Sequence, residues 1–142
     1  MTHPDYTSAT TLSAHMRCTT RFCKQQATMV TDIPAAIGGF GEFPTPAQYL
    51  TATLASCMMS MLAFTGKQKG FSTDDISVEA LCHEDKSGIR AFELTFRVPH
   101  HPEDKIKRLM EASVRSCPVA NALHPGIGKN ITWIYPTIDT KN

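Results

Sequence analysis

Five cysteines, Cys18, Cys23, Cys57, Cys82 and Cys117, are the residues of this 142-residue chain with the most chemistry to offer. A thiolate is a nucleophile, a metal ligand and the start of a reversible oxidation ladder from thiol through sulfenic acid to disulfide. Two of the five sit in helical settings. Cys57 lies in ATLASCMMSML, amid small and apolar side chains, and Cys117 directly precedes Pro118 in SCPVANAL. A helix begun by that proline places Cys117 at its N-cap, where backbone N–H groups and the positive end of the helix dipole favour a thiolate. Cys57, well past the first turn of its own helix, gains no such help, and apolar burial opposes its ionisation. A reactive Cys57 therefore needs a cation from elsewhere in the chain, and arginine suits because it stays charged when buried. The plain alternative for both thiols is core filling, since free cysteine is among the most buried residue types.

The remaining candidates are weaker. Cys18 and Cys23, with the Cys82-His83 pair, meet only the loose edge of zinc-ligand spacing, so no metal site is expected. His100-His101 precedes a proline in a turn, and His124, seven residues after Cys117, is most simply a helix-terminal histidine. The GGFG stretch lies between prolines and lacks the basic residue of a phosphate loop, and no serine sits in a nucleophile elbow.

The elements that must position these groups follow from pattern. HMRCTTRF and ATMVTD, separated by CKQQ, predict a hairpin within residues 12–32. DIPAAIGGFGEFPTP is a loop, ending where Thr45 can cap a helix with Pro46 at its first position. That helix runs to Lys69, before Gly70, over roughly 36 Å at 1.5 Å per residue. Leu50, Leu54, Cys57, Met61 and Phe64 form one predicted stripe, while Ala52, Ser56, Ser60 and Ala63 line a small-residue face. Apolar or small character almost all round predicts burial on nearly all sides, and the small face invites a second copy of the same helix. Residues 76–83 and 89–98 alternate apolar and polar and read as a hairpin across EDKSG. A second helix opens at Pro102, with Ile106, Leu109, Met110 and Val114 inward, and ends near Cys117; a short helix follows, then a strand at 130–135. The order gives one α+β domain over 1–142, with mostly antiparallel pairing around a long central helix.

Lys and Arg total 14 against 13 Asp and Glu, a net +1 that provides no field for nucleic acid or anionic lipid. The N-terminal stretch MTHPDYTSATTLSAH lacks a secretory pattern, and polar residues interrupt the longest apolar segment, so a cytoplasmic, non-membrane protein is expected. Five widely spaced cysteines then argue against a structural disulfide framework.

The run DIPAAIGGFGEFPTPAQYLTATLASCMMSMLAFTGKQKG, followed by ASVRSCPVANAL, resembles the osmotically inducible protein C and organic hydroperoxide resistance (OsmC/Ohr) family over roughly residues 12–135. The resemblance implies an OsmC-like fold and an intertwined homodimer with active sites at the interface. It also implies a peroxidase that needs no cofactor: Cys57 attacks an organic hydroperoxide, Cys117 resolves the product as a disulfide, and an external dithiol reduces it. Arg17 falls about where the family's activating arginine would, with Arg21 as the fallback. Met61 and Phe64 would suit a pocket for an apolar peroxide, and Gln48 could accept a hydrogen bond from the arginine. One departure stands out. Peroxidase members carry a glutamate ten residues before the reactive cysteine to hold the arginine; here that position is Ala47, which implies a looser arginine and reduced activity. The alternatives are a thiol or ligand-binding module of the same fold with little catalysis, or persulfide handling.

Overall fold

The computed structural model of the protein describes residues 7–137, which form two compact units, 7–49 and 50–137. In the first, β1 (Ser8–Leu12), β2 (Cys18–Phe22) and β3 (Thr28–Thr31) make an antiparallel sheet in the order β1-β2-β3. The predicted hairpin is β2 and β3, joined through the polar turn at Lys24–Gln26. Strand β1 was not foreseen: SATTL is exposed at all five positions and has no apolar alternation to announce it. After β3 the chain makes a glycine-rich loop that folds on itself, with Gly41 N–H donating to the Ile33 carbonyl (3.1 Å) and Asp32 N–H to that of Pro44 (3.2 Å). The loop leaves no room for a side chain at Gly39, where a β-carbon would overlap the Ile33 carbonyl.

Helix α1 (Pro46–Lys69) starts as the sequence predicts. Thr45 Oγ1 accepts from Gln48 N–H (3.2 Å) and Gln48 Oε1 accepts from Thr45 N–H (2.8 Å), a reciprocal capping box. By length and a hydropathy of 1.2 the helix could cross a bilayer, but its buried stripe of Thr51, Leu54, Ala55, Met58, Leu62 and Gly66 belongs to the core of the second unit. That stripe corrects the sequence reading. Leu54, Met58 and Leu62 point inward, Cys57 and Met61 flank them half-buried, and Phe64 is 55% exposed. Expected burial on nearly all sides is also overturned for a single chain: Ala52, Ser56, Ser60 and Ala63 are exposed. With small and apolar residues spread around the helix, composition alone could not fix which face turns inward.

The second unit continues with β4 (Ser77–Asp85), β5 (Gly88–Arg97), α2 (Asp104–Arg115), α3 (Pro118–Ala122) and β6 (Gly128–Ile134). β4 and β5 form the predicted antiparallel hairpin, but β6 pairs with β5 in parallel, so this sheet is mixed rather than antiparallel. The two intervening helices supply the crossover that a parallel return needs. Phe92, Leu94 and Phe96 present one face of β5 to the core, meeting Leu54, Met58 and Leu62 of α1 and Met110 and Val114 of α2 in one apolar cluster. Cys117 is part of that cluster.

Candidate active site

Cys117 stands at the N-cap of α3, where its sulfur accepts from Ala120 N–H at 3.5 Å and is completely buried. The sequence placed it there because Pro118 can open a helix but cannot continue one. Its thiol is pushed above the usual range, first by burial and next by the neighbouring Cys57 thiol; the Ala120 and Val119 N–H groups pull the other way and are outweighed. Helix-end stabilisation of a Cys117 thiolate therefore acts in the expected direction but does not win. The two cysteines, sixty residues apart in sequence, are near enough for one to act on the other: Cys57 packs against the apolar cluster that contains Cys117 and is the second cause of its raised pKa. Their environments differ: Cys117 is sealed and keeps its proton, whereas Cys57 is half-exposed. Of the two sulfurs, Cys57 is the more accessible from outside.

Met61 and Phe64 follow Cys57 by four and seven residues and therefore share its side of α1. With Met61 half-buried and Phe64 exposed, an apolar strip leads away from the reachable thiol.

Arg17 lies in the first unit, and the hairpin register explains its partner. Cys18 pairs with Thr31, so one further step along the antiparallel ladder sets Arg17 opposite Asp32. Arg17 Nε donates to Asp32 Oδ1 at 2.7 Å and Nη2 to Oδ2 at 2.8 Å; Nη2 also donates to Glu42 Oε2 at 2.6 Å. Asp32 Oδ2 accepts in addition from Glu42 N–H and Phe43 N–H, each at 3.0 Å, and the side chain is wholly buried. The Arg17 hydrogen bond, with the two backbone N–H groups helping, holds the Asp32 carboxyl far below the usual carboxylate range despite burial. In turn, the Asp32 and Glu42 bonds hold Arg17 protonated even more firmly than a free guanidinium. The expectation of a loosely held arginine is thus wrong: position 47 carries no carboxylate, yet the preceding loop brings two. Gln48 does not serve Arg17 either, because its Oε1 is engaged in the helix cap. Of the five guanidinium hydrogens, three are used in these bonds, which leaves the Nη1 edge to meet an anion.

Arg17 follows a tight turn in which His15 (φ 55°) and Met16 (φ 62°) both adopt the left-handed region, a cost of about 1–3 kcal/mol per residue that local contacts must offset. Sequence reasoning missed Asp32, Glu42, Phe40 and Phe43 as arginine partners; the predicted hairpin register could have found the first. Arg21 lies exposed on β2, away from these carboxylates. His83 pairs with Glu93 (3.2 Å) and His124 Nδ1 accepts from Gly126 N–H (2.9 Å), while among the described residues no three His, Cys, Asp or Glu side chains gather as a metal site.

The fold and the matched sequence identify the class. Residues 39–131 match the OsmC-like protein family, and the chain belongs to it. Among solved structures, it is similar to a candidate osmotic stress induced and detoxification response protein of Psychrobacter arcticus, with a TM-score of 0.86 and 20% identity over 94% of this chain and 98% of that one. The organic hydroperoxide resistance protein OsmC of Legionella pneumophila superposes with a TM-score of 0.71 and 16% identity, covering 92% and 98% of the two chains. OhrB of Bacillus subtilis, an organic hydroperoxide resistance protein, gives 0.65 and 19% over 91% and 98%. These likenesses establish a common fold. No curated protein matches the chain significantly in sequence.

Proposed function

We propose that the protein is a cytoplasmic, homodimeric peroxidase that reduces organic hydroperoxides with two cysteines. The observation that carries this reading is the placing of a partly exposed Cys57 against the apolar cluster that holds a buried, protonated Cys117. The Cys57 thiolate attacks the terminal peroxide oxygen, the O–O bond breaks, and the alcohol leaves with a proton as Cys57 becomes a sulfenic acid. The Cys117 sulfur then attacks Cys57, the S–S bond forms and water departs. An external dithiol returns both sulfurs to thiols, itself ending as a disulfide. Arg17 is given the role that the family resemblance implies for it, the cation that favours the Cys57 thiolate. Met61 and Phe64 are assigned to the apolar part of the substrate. The exposed small-residue face of α1 supports pairing with a second copy. Asp32 and Glu42 hold Arg17 without a carboxylate at position 47, which favours this reading over a thiol module of the same fold with little catalysis.

Addition of tert-butyl hydroperoxide to the reduced protein should give a Cys57–Cys117 disulfide, read as a loss of 2 Da by intact mass. The Cys117→Ser variant should instead gain 16 and then 32 Da at Cys57, because no second sulfur intercepts the sulfenic acid. Free thiols at both positions under excess peroxide would refute the proposal. The Ala47→Glu variant should change turnover by less than about twofold, since Arg17 already has two carboxylate partners; a large gain would mean that the loop carboxylates do not do the work assigned to them.

A further inference from the structure

Resting on that reading, we infer that Phe40 and Phe43 are positioning residues for Arg17, fixing the tilt of its guanidinium so that the Nη1 edge stays aimed. The Asp32 fork pins the Nε–Nη2 edge but leaves the plane able to swing about that edge. Two rings oppose the swing: the guanidinium carbon lies 4.5 Å from the Phe40 centroid and 4.8 Å from that of Phe43. Each ring is itself held. His15 packs on Phe40 at 4.6 Å, and the backbone N–H of Phe43 is bonded to the same Asp32 oxygen that receives Arg17 Nη2. Asp32 thus ties the Arg17 guanidinium and the Phe43 backbone to one oxygen. Cation–π attraction to the two rings adds to this restraint. Both phenylalanines are about two-fifths exposed, 41% and 42%, so neither is buried in a core.

Leucine in place of each ring keeps apolar volume and removes the π face, so Phe40→Leu, Phe43→Leu, the double variant and Phe40→Leu combined with Phe43→Tyr discriminate. The readouts are the pH midpoint of Cys57 alkylation by iodoacetamide and the kcat for tert-butyl hydroperoxide, with Arg17→Ala alongside. The double leucine variant should raise the alkylation midpoint and lower kcat about five- to tenfold with KM little changed, while Phe40→Leu combined with Phe43→Tyr should fall only as far as Phe40→Leu alone. Leucine variants with the wild-type alkylation profile would overturn the inference, and so would a lowered kcat that tracks only a change in oligomeric state. If Arg17→Ala also leaves the profile unchanged, the assignment of Arg17 itself fails; if it moves the profile and the leucine variants do not, only the role of the rings is lost.

Discussion

The Cys57→Ser variant is expected to lose hydroperoxide consumption by on the order of 10³-fold or more while remaining folded. Serine is close in volume, and position 57 is half-exposed beside the buried stripe rather than in it, so the packing of Leu54, Met58 and Leu62 is untouched. A hydroxyl, however, is neither ionised near neutrality nor able to accept an oxygen atom and pass it on. Peroxide decay followed by ferrous–xylenol orange, together with an unchanged far-ultraviolet CD spectrum, checks both halves. The comparison with Cys117→Ser matters most. That variant should still reduce the first equivalent of peroxide, because the attacking sulfur is intact, and then stall as Cys57 is oxidised further. If both variants lose the first turnover equally, the two sulfurs do not divide the work as their exposures imply. If Cys57→Ser retains turnover, the more accessible thiol is not the attacking group.

Much of this architecture could be read from the residues. Pro46 and Gly70 bound α1, and Pro118 set Cys117 at a cap, because proline and glycine act locally and need no knowledge of the rest of the fold. What escaped depends on partners distant in sequence. The stripe on α1 was misplaced by one position because small and apolar residues surround the whole helix, so the inward face is chosen by β5 and α2 rather than by α1 itself. The parallel return of β6 was hidden because a strand's sequence does not state its direction. Around Arg17 the sequence misleads for a further reason: Ala47 reads as a missing charge. A carboxylate is a chemical requirement and not an address, and a loop folded back on Asp32 can meet it from positions 32 and 42. The GGFG stretch, dismissed as a phosphate loop, is the part of the chain that turns Phe40, Glu42 and Phe43 back onto the arginine.

The Asp32→Asn variant should both destabilise the first unit and slow turnover by about 10²-fold, the scale expected when a reacting group is displaced by about an ångström. An amide cannot replace this carboxylate in either orientation. With its oxygen at the Oδ2 position it can accept from Arg17 Nη2, Glu42 N–H and Phe43 N–H, but its NH₂ then faces Arg17 Nε–H; reversed, the NH₂ faces three donors at once. Every arrangement sets donor against donor in a buried place, and Arg17 keeps only the exposed Glu42 as an ionic partner. The pH dependence gives the effect a signature. Because the folded Asp32 carboxyl ionises far below its unfolded value, its contribution to stability is complete above about pH 4 and is lost as pH falls from there toward the depressed folded value. The gap in thermal midpoint between wild type and Asp32→Asn should therefore be wide at pH 7 and narrow as the pH drops below about 4. A constant gap across that range would mean that Asp32 acts through shape alone. A normal alkylation profile for Cys57 in the same variant would mean that the arginine it holds is not the cation that the thiolate needs.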